Sequence, residues 1–156
     1  MAERALTFAL VGAGRMGQAH ARVLKGLPEV QIRAVADHSP ENAAQVAARF
    51  GAEVSSLERI LQDESIGAVI LTTPTPTHAA LIERAARAGK AIFVEKPVAS
   101  TLEEAERVLR VLRETGAPCQ VGFQRRYDPA YALAKRRILA GELGKLETFR
   151  AISRDP

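Results

Sequence analysis

The apolar residues of the chain follow two alternating patterns. Short continuous runs, typical of strands buried on both faces, lie at residues 6–11, 31–37, 52–54, 67–72, 91–94 and 119–123. Longer segments with an apolar residue every three or four positions predict helices at residues 16–27, 40–50, 57–61, 76–88, 102–115 and 129–140. This alternation predicts an α/β fold with a doubly wound parallel sheet in a single domain.

Some predictions concern the ends and faces of these elements. The first helix repeats Met16, Ala19, Val23 and Leu27 at helical spacing, the pattern of a packed face. The fifth helix is expected to turn inward Ala105, Val108, Leu109 and Leu112. Its start carries a capping-box pattern, Thr101 with Glu104, and Thr75 is expected to cap the fourth helix. Residues 145–153 are expected to form a last strand, whose unpaired edge would favour a homo-oligomer.

Composition narrows the class of protein. A chain of 156 residues with 47% hydrophobic content is long enough for one buried core. The net charge is +4, but the basic cluster at residues 135–137 lies among alanines and leucines and is interpreted as a solvated helix face, so we expect no nucleic-acid partner. No apolar stretch reaches membrane-spanning length and no secretory leader is visible, so we expect no membrane partner and a cytoplasmic location.

The single cysteine and the three histidines carry no metal pattern. Cys119 has no partner for an internal disulfide and is expected to be a buried thiol, which fits a reducing compartment. The histidines fall on separate predicted elements, so no metal site is expected.

A glycine-rich turn follows the first predicted strand. Gly12 permits a tight turn, Gly14 lets a pyrophosphate approach the backbone, and Gly17 lets the next helix pack close to the sheet. The free N–H groups at the start of that helix would face the anion. Glycines also serve ordinary turns, so the pattern gains weight from its position between a strand and a helix.

An acidic residue ends the second predicted strand. Asp37 lies twenty residues after Gly17, where a carboxylate can accept hydrogen bonds from the hydroxyls of an adenosine ribose. The same charge repels a 2′-phosphate, which favours NAD over NADP. The alternative is a helix-capping or turn acid, although Ser39 and Pro40 already supply a cap and a first-turn proline.

Polar residues also follow the later strands, at the edge where a parallel sheet binds its ligands. Lys96 comes directly after a buried strand, between Glu95 and Pro97. Its ammonium could bind a substrate hydroxyl and its amine could accept a proton as hydride leaves; the alternative is a surface Lys–Glu pair. His78, near the start of the fourth helix, is expected to contact backbone, cofactor or the neighbouring turn rather than to act as an acid or base.

The motifs in this order resemble those of the oxidoreductases named after glucose-fructose oxidoreductase, inositol dehydrogenase and the rhizopine-catabolism protein MocA (GFO/IDH/MocA). They cover essentially the whole chain and lie at residues 12–17, 36–37, 73–78, 95–97 and 122–129. The resemblance implies a Rossmann fold and an NAD(P)-dependent oxidation of a secondary alcohol of a sugar or an inositol-like cyclitol.

The resemblance also implies roles for single residues. Lys96 matches the catalytic lysine of the family, Asp37 its ribose-binding acid, and Pro97 a proline often held in the cis form. Thr75 departs from the family, which usually has asparagine there. With these motifs, the expected cofactor contacts are Gly12, Gly14, Arg15, Met16, Gly17, Asp37, His38, Thr73, Pro74, Thr75, His78, Glu95, Lys96 and Gln124.

Family members continue into a second domain that shapes the sugar site and carries an Asp and a His of the catalytic set. We therefore expect residues 1–144 to form the dinucleotide-binding domain and residues 145–156 to begin a substrate domain that is missing here. On this hypothesis the chain is the NAD-binding half of a dehydrogenase, weakly active or inactive alone, and whether it is an enzyme stays open. The alternative is a non-catalytic nicotinamide-sensing module that pairs with another chain.

Overall fold

The computed structural model describes residues 6–152, in which strands and helices alternate as the sequence predicts. The strands are β1 (Leu6–Val11), β2 (Val30–Ala36), β3 (Glu53–Val54), β4 (Ala68–Leu71), β5 (Ala91–Val94) and β6 (Cys119–Val121). The helices are α1 (Arg15–Lys25), α2 (Pro40–Phe50), α3 (Leu57–Gln62), α4 (His78–Arg87), α5 (Leu102–Thr115) and α6 (Pro129–Leu139). Short 3₁₀ turns lie at Thr75–Thr77 and Gln124–Tyr127.

All six strands form one parallel sheet in the order β3-β2-β1-β4-β5-β6. The chain builds outward from β1 to β3, returns to the centre and builds outward again from β4, so β1 and β4 are neighbours at the point where the strand order reverses. This doubly wound arrangement confirms the predicted fold class and opens a crevice at the carboxyl ends of β1 and β4.

Helices cover both faces of the sheet, which explains why its central strands are continuously apolar. One apolar layer joins β1 and β2 to α1 and α2 through residues such as Leu10, Val35 and Val46. The other joins β4 and β5 to α4 and α5 through residues such as Leu71 and Ile82. All five side chains are almost completely buried.

The structure divides into two compact units, the first ending at Gly122 and the second beginning at Phe123. The second contains the 3₁₀ turn at Gln124–Tyr127 and α6, which Asp128 caps by accepting from the N–H groups of Ala130 and Tyr131.

The buried face of α1 differs from the predicted one. Gly17 and Ala21 face the sheet, whereas Met16 and Val23 are exposed. Gly17 packs directly on the backbone of the preceding turn, and so close an approach leaves room only for small residues on the inner face. The larger apolar residues were a misleading signal because the helix is pressed against the sheet.

The predicted inner face of α5 is wrong at one position. Leu109 is 51% exposed, while Val111 is 4% exposed and shares the buried stripe with Val108. The predicted capping box is present: the Thr101 hydroxyl accepts from Glu104 N–H, and Glu104 accepts from Thr101 N–H.

The predicted start of α4 and the predicted last strand are also wrong. Thr75 does not cap α4, because a 3₁₀ turn closed by Thr77 N–H on the Pro74 carbonyl comes first and the α-helix begins at His78. Residues 145–152 form no strand and are all exposed, so their apolar residues lack the partner strand that would order them; Ser153 lies outside the described residues.

Paired substitutions in α5 test the observed register. Val111→Ala removes about two buried methyl groups and should lower the free energy of unfolding by about 2 kcal/mol. Leu109→Ala should change it by less than about 0.5 kcal/mol, because its side chain is already half in water. Urea denaturation measures both values, and an equal loss in the two variants would contradict the register.

Candidate active site

A cleft of about 880 Å³ lies at the carboxyl edge of the sheet, where β1 and β4 separate. Its walls come from the glycine turn after β1, the tip of β2, the loop before α3 and the turn after β4. The cleft therefore occupies the crevice in which doubly wound sheets bind ligands.

The glycine turn is fitted to the end of β4. Gly12 has φ +101°, and a Cβ there would come within 3 Å of the Thr72 and Thr73 backbone. The Thr72 hydroxyl donates to the Gly12 carbonyl at 2.7 Å. A Cβ on Gly17 would press on the same carbonyl and on the Thr72 hydroxyl. Gly12 and Gly17 are thus required by the packing of the protein itself.

Gly14 differs from these two glycines. It lines the cleft, and a Cβ built on it would meet nothing within 4 Å. No contact inside the first unit calls for glycine at this position. The absent side chain instead leaves free space directly in front of α1, which is the fit expected for a ligand that approaches the backbone.

The start of α1 is left without a side-chain cap. Gly14 is its N-cap residue and no acidic residue occupies its first turn. In contrast, α2, α3, α5 and α6 all begin on a side chain that accepts from backbone N–H groups: Ser39, Ser56, Thr101 and Asp128. The other uncapped helix, α4, continues directly from a 3₁₀ turn. The uncapped N–H groups of α1, beside Arg15, face the cleft and suit an anion such as a pyrophosphate.

Asp37 joins the tip of β2 to the glycine turn. Its Oδ2 accepts from Ala13 N–H at 2.6 Å and its Oδ1 accepts from Ser39 N–H at 2.8 Å. The side chain is only 6% exposed but borders the cleft, and each carboxylate oxygen keeps a further lone pair for a ligand hydroxyl. Ser39 itself caps α2, so Asp37 is not a helix cap, while its bond to Ser39 N–H is the turn role that the alternative interpretation also offered.

The side chain of His38 is mostly exposed to solvent. Its side chain is 90% exposed, and Nδ1 lies 3.0 Å from Asp37 Oδ1. It borders the same end of the cleft as Asp37.

The turn after β4 forms the opposite wall. Thr73, Pro74 and Thr77 line the cleft, and the Thr73 and Thr77 hydroxyls lie 2.6 Å apart. Thr77 also donates its hydroxyl to the Pro74 carbonyl at 2.8 Å, which stiffens the turn. Thr75 lies outside the lining of the cleft.

The segment at residues 95–97 follows the next strand along the sheet. Glu95 Oε1 lies 2.7 Å from Nε2 of His20, so the carboxylate pairs with a histidine of α1 and not with Lys96. Lys96 N–H donates to Glu95 Oε2 at 3.3 Å, and the Lys96 side chain is exposed. The Lys96–Pro97 peptide bond is cis, as the resemblance implies.

The structure thus gathers part of the predicted set around one cleft: Gly12, Gly14, Arg15, Met16, Asp37, His38, Thr73 and Pro74. Gly17 and the buried His78 lie behind its walls, and Glu95 and Lys96 lie at the tip of β5, the strand beside β4. Gln124 begins the 3₁₀ turn of the second unit.

Sequence reasoning missed several lining residues, namely Asn42, Ser55, Ser56, Leu57, Thr72, Thr77 and Leu81. Three of them carried a usable signal, since Ser55 and Ser56 directly follow β3 and Thr72 directly follows β4. Hydroxyl residues at these positions reach the same edge of the sheet as Asp37.

Ionisable groups elsewhere have structural roles. Partial burial raises the pKa of the Cys119 thiol, which disfavours the reactive thiolate form. Hydrogen bonds from Ser65, with Arg33 nearby, lower the pKa of Asp63. The buried Lys90 ammonium donates to the Asp63 and Ile66 carbonyls at 2.7 and 2.9 Å and so secures the loop that leads into β4.

The part of the chain that the structure describes offers no group of three or more metal-binding side chains. Within residues 6–152, no helix is both long and apolar enough to cross a membrane.

Known proteins are similar to this chain in sequence and in fold. Inositol 2-dehydrogenase of Rhizobium meliloti strain 1021 is 44% identical over 149 residues, 96% of this chain and 45% of that protein. The NAD(+)-dependent scyllo-inositol 2-dehydrogenase of Bacillus subtilis strain 168 is 45% identical over 156 residues, 98% of this chain and 46% of that protein. The chain therefore spans about half the length of these curated relatives.

A solved structure agrees with the sequence matches. Scyllo-inositol dehydrogenase of Lactobacillus casei, crystallised with NAD(H) and scyllo-inositol, superposes with a TM-score of 0.83 at 28% identity, over 89% of this chain and 42% of that one. The model of the oxidoreductase family with an NAD-binding Rossmann fold (GFO/IDH/MocA) matches residues 6–123. This chain belongs to that family and contains its NAD-binding Rossmann domain, of the type found in inositol dehydrogenases.

Proposed function

We propose that the chain binds NAD in the cleft after β1 and β4 and provides a lysine for oxidation of a secondary alcohol of an inositol-like cyclitol or a sugar. The observation that carries this proposal is the uncapped start of α1 behind the open Gly14, with the Asp37 carboxylate fixed alongside. Anion-binding donors and a ribose acceptor in one crevice are what a dinucleotide requires.

The pyrophosphate is assigned to the turn of residues 12–17. The N–H groups at the start of α1 donate to its oxygens, and Arg15 and Met16, both in the lining of the cleft, flank it. Because the backbone of this turn is already fixed by Gly12 and Thr72, the donors need little reorganisation on binding.

The adenosine ribose is assigned to Asp37, with His38 beside it. The carboxylate accepts the ribose hydroxyls through lone pairs that the backbone donors leave free. A 2′-phosphate at this position would meet a negative charge held in place by two hydrogen bonds, so the site prefers NAD to NADP.

The reactive end of the cofactor is assigned to the turns after β4 and β5. Thr73 and Pro74 line this end of the cleft, and we assign the neighbouring Thr75 and Glu95 to it as well. NAD supplies the hydride acceptor. Lys96 binds the alcohol oxygen and, as a neutral amine, takes the hydroxyl proton as the carbon-bound hydrogen leaves as hydride.

We place this activity in the cytoplasm, because the single thiol of Cys119 cannot form an internal disulfide.

Replacing Asp37 tests the ribose assignment. Asp37→Ala removes a charged acceptor, so the Kd for NAD should rise about tenfold or more, while the Kd for NADP should change less. Calorimetry with both cofactors measures the ratio. Ser39→Ala removes only the cap of α2 and should leave that ratio unchanged; an unaltered preference in Asp37→Ala would remove the assignment.

Two glycine substitutions separate ligand space from packing space. Gly14→Ala should change the free energy of unfolding by less than about 1 kcal/mol, yet weaken NAD binding severalfold. Gly17→Ala should destabilise the fold by about 1–3 kcal/mol, because its Cβ presses on the Gly12 carbonyl. Denaturation and calorimetry report the two effects, and full NAD affinity in Gly14→Ala would argue against the pyrophosphate assignment.

The role of Lys96 is tested by turnover. NADH formation from myo-inositol and scyllo-inositol is followed with the chain alone and with a separately produced C-terminal half of a relative. Lys96→Ala should lower the rate about 10²–10⁴-fold, the usual contribution of a general base, and affect NAD binding much less. Turnover that survives the substitution would refute catalysis by Lys96, and NAD binding without turnover in either assay would favour a sensing module.

A further inference from the structure

The first residue of α4 is a histidine whose side chain is 1% exposed. Both ring nitrogens of His78 lie next to backbone carbonyl oxygens. Nδ1 is 2.7 Å from the oxygen of Pro97, and Nε2 is 2.8 Å from the oxygen of Thr73. A leucine would fill the same space without a polar group to satisfy, so the imidazole here is a matter of hydrogen bonding and not of packing alone.

The two carbonyls belong to different parts of the candidate site. Thr73 lies in the turn after β4 and lines the cofactor cleft. Pro97 follows Lys96 in the turn after β5. The β4–β5 ladder ends with Glu95 N–H donating to the Leu71 carbonyl at 3.0 Å, and beyond that bond the chains leave the sheet. His78 joins the two turns past the point where the sheet holds them.

A second histidine acts on the other side of Lys96. His20 of α1 contacts the Glu95 carboxylate at 2.7 Å, and its ring packs edge-on against Phe93 with centroids 5.0 Å apart. Lys96 itself is exposed, and its backbone N–H donates to the carboxylate of Glu95. Its backbone position is therefore determined by the residues before and after it, each of which a histidine contacts.

We propose that His78 is a positioning residue, which sets Lys96 relative to the cofactor cleft by holding Thr73 and Pro97 together. The proposal rests on the proposed roles of Lys96 and the cleft. A carbonyl oxygen only accepts, so each link is a hydrogen bond when the facing ring nitrogen carries a proton, and the ring stands between the two oxygens in either tautomer. The ring is a rigid spacer, so movement of one turn is transmitted to the other.

Amide side chains can restore the two links one at a time. The Nδ2 group of asparagine can occupy the place of the imidazole Nδ1 and donate to Pro97. The Nε2 group of glutamine can reach the place of the imidazole Nε2 and donate to Thr73. His78→Leu removes both links and retains the volume. If His78→Leu fails to fold, the Asn and Gln variants still decide the proposal.

Two measurements report separately on the two turns that His78 joins. Calorimetry with NAD reports on the Thr73 wall, and hydrogen exchange of a peptide covering residues 95–100 reports on the Lys96 turn. We expect His78→Asn to weaken NAD binding about tenfold with wild-type exchange at residues 95–100. We expect His78→Gln to bind NAD within about twofold of wild type and to exchange at least threefold faster at residues 95–100. His78→Leu should show both defects.

A packing variant controls for general loss of stability. Val108→Ala removes buried volume from α5 and should raise exchange across the first unit without a selective effect at residues 95–100. The proposal is overturned if His78→Leu matches wild type in both measurements, or if neither Asn nor Gln restores the property assigned to it. Should the wild-type chain bind no NAD, the proposed function fails, while exchange in the Asn and Gln variants still judges the link to Pro97.

Discussion

The architecture depends on the close approach of three backbones where β1, α1 and β4 meet. Gly12 turns against Thr72 and Thr73, and Gly17 lies on the Gly12 carbonyl. A side chain at either glycine would separate the helix from the sheet. Because the approach is so tight, the start of α1 lies at the crevice between β1 and β4. Its first residues therefore line the cleft.

Some polar groups around this contact form hydrogen bonds within the protein, and others remain available to a ligand. Most helices begin on a side chain that satisfies their first N–H groups, but α1 does not. Each carboxylate oxygen of Asp37, by contrast, already accepts from one backbone N–H, and the side chain still borders the cleft. The cleft thus has a fixed acceptor, the Asp37 carboxylate, next to the uncapped N–H donors of α1. This arrangement suits the dinucleotide that the family binds.

Much of this could be predicted from the sequence, because the doubly wound parallel sheet and the edge that binds ligands follow from glycines, an acid and apolar runs at fixed spacing. The inner face of α1 could not, since the tight contact at Gly17 reverses the usual rule that the largest apolar residues are buried. His20, the partner of Glu95, and Pro97, one of the two partners of His78, lie 75 and 19 residues away in the chain. No local pattern encodes such contacts, and Leu109 misled because helical periodicity leaves one residue of uncertainty in a face.

The two hydrogen bonds of Asp37 have an evolutionary consequence. The carboxylate that we propose to discriminate between the cofactors also ties the glycine turn to the tip of β2, through the N–H groups of Ala13 and Ser39. A lineage that adopted NADP by replacing Asp37 would at the same time loosen the glycine turn. Change of cofactor in this protein is thus coupled to backbone repair and should require more than one mutational step.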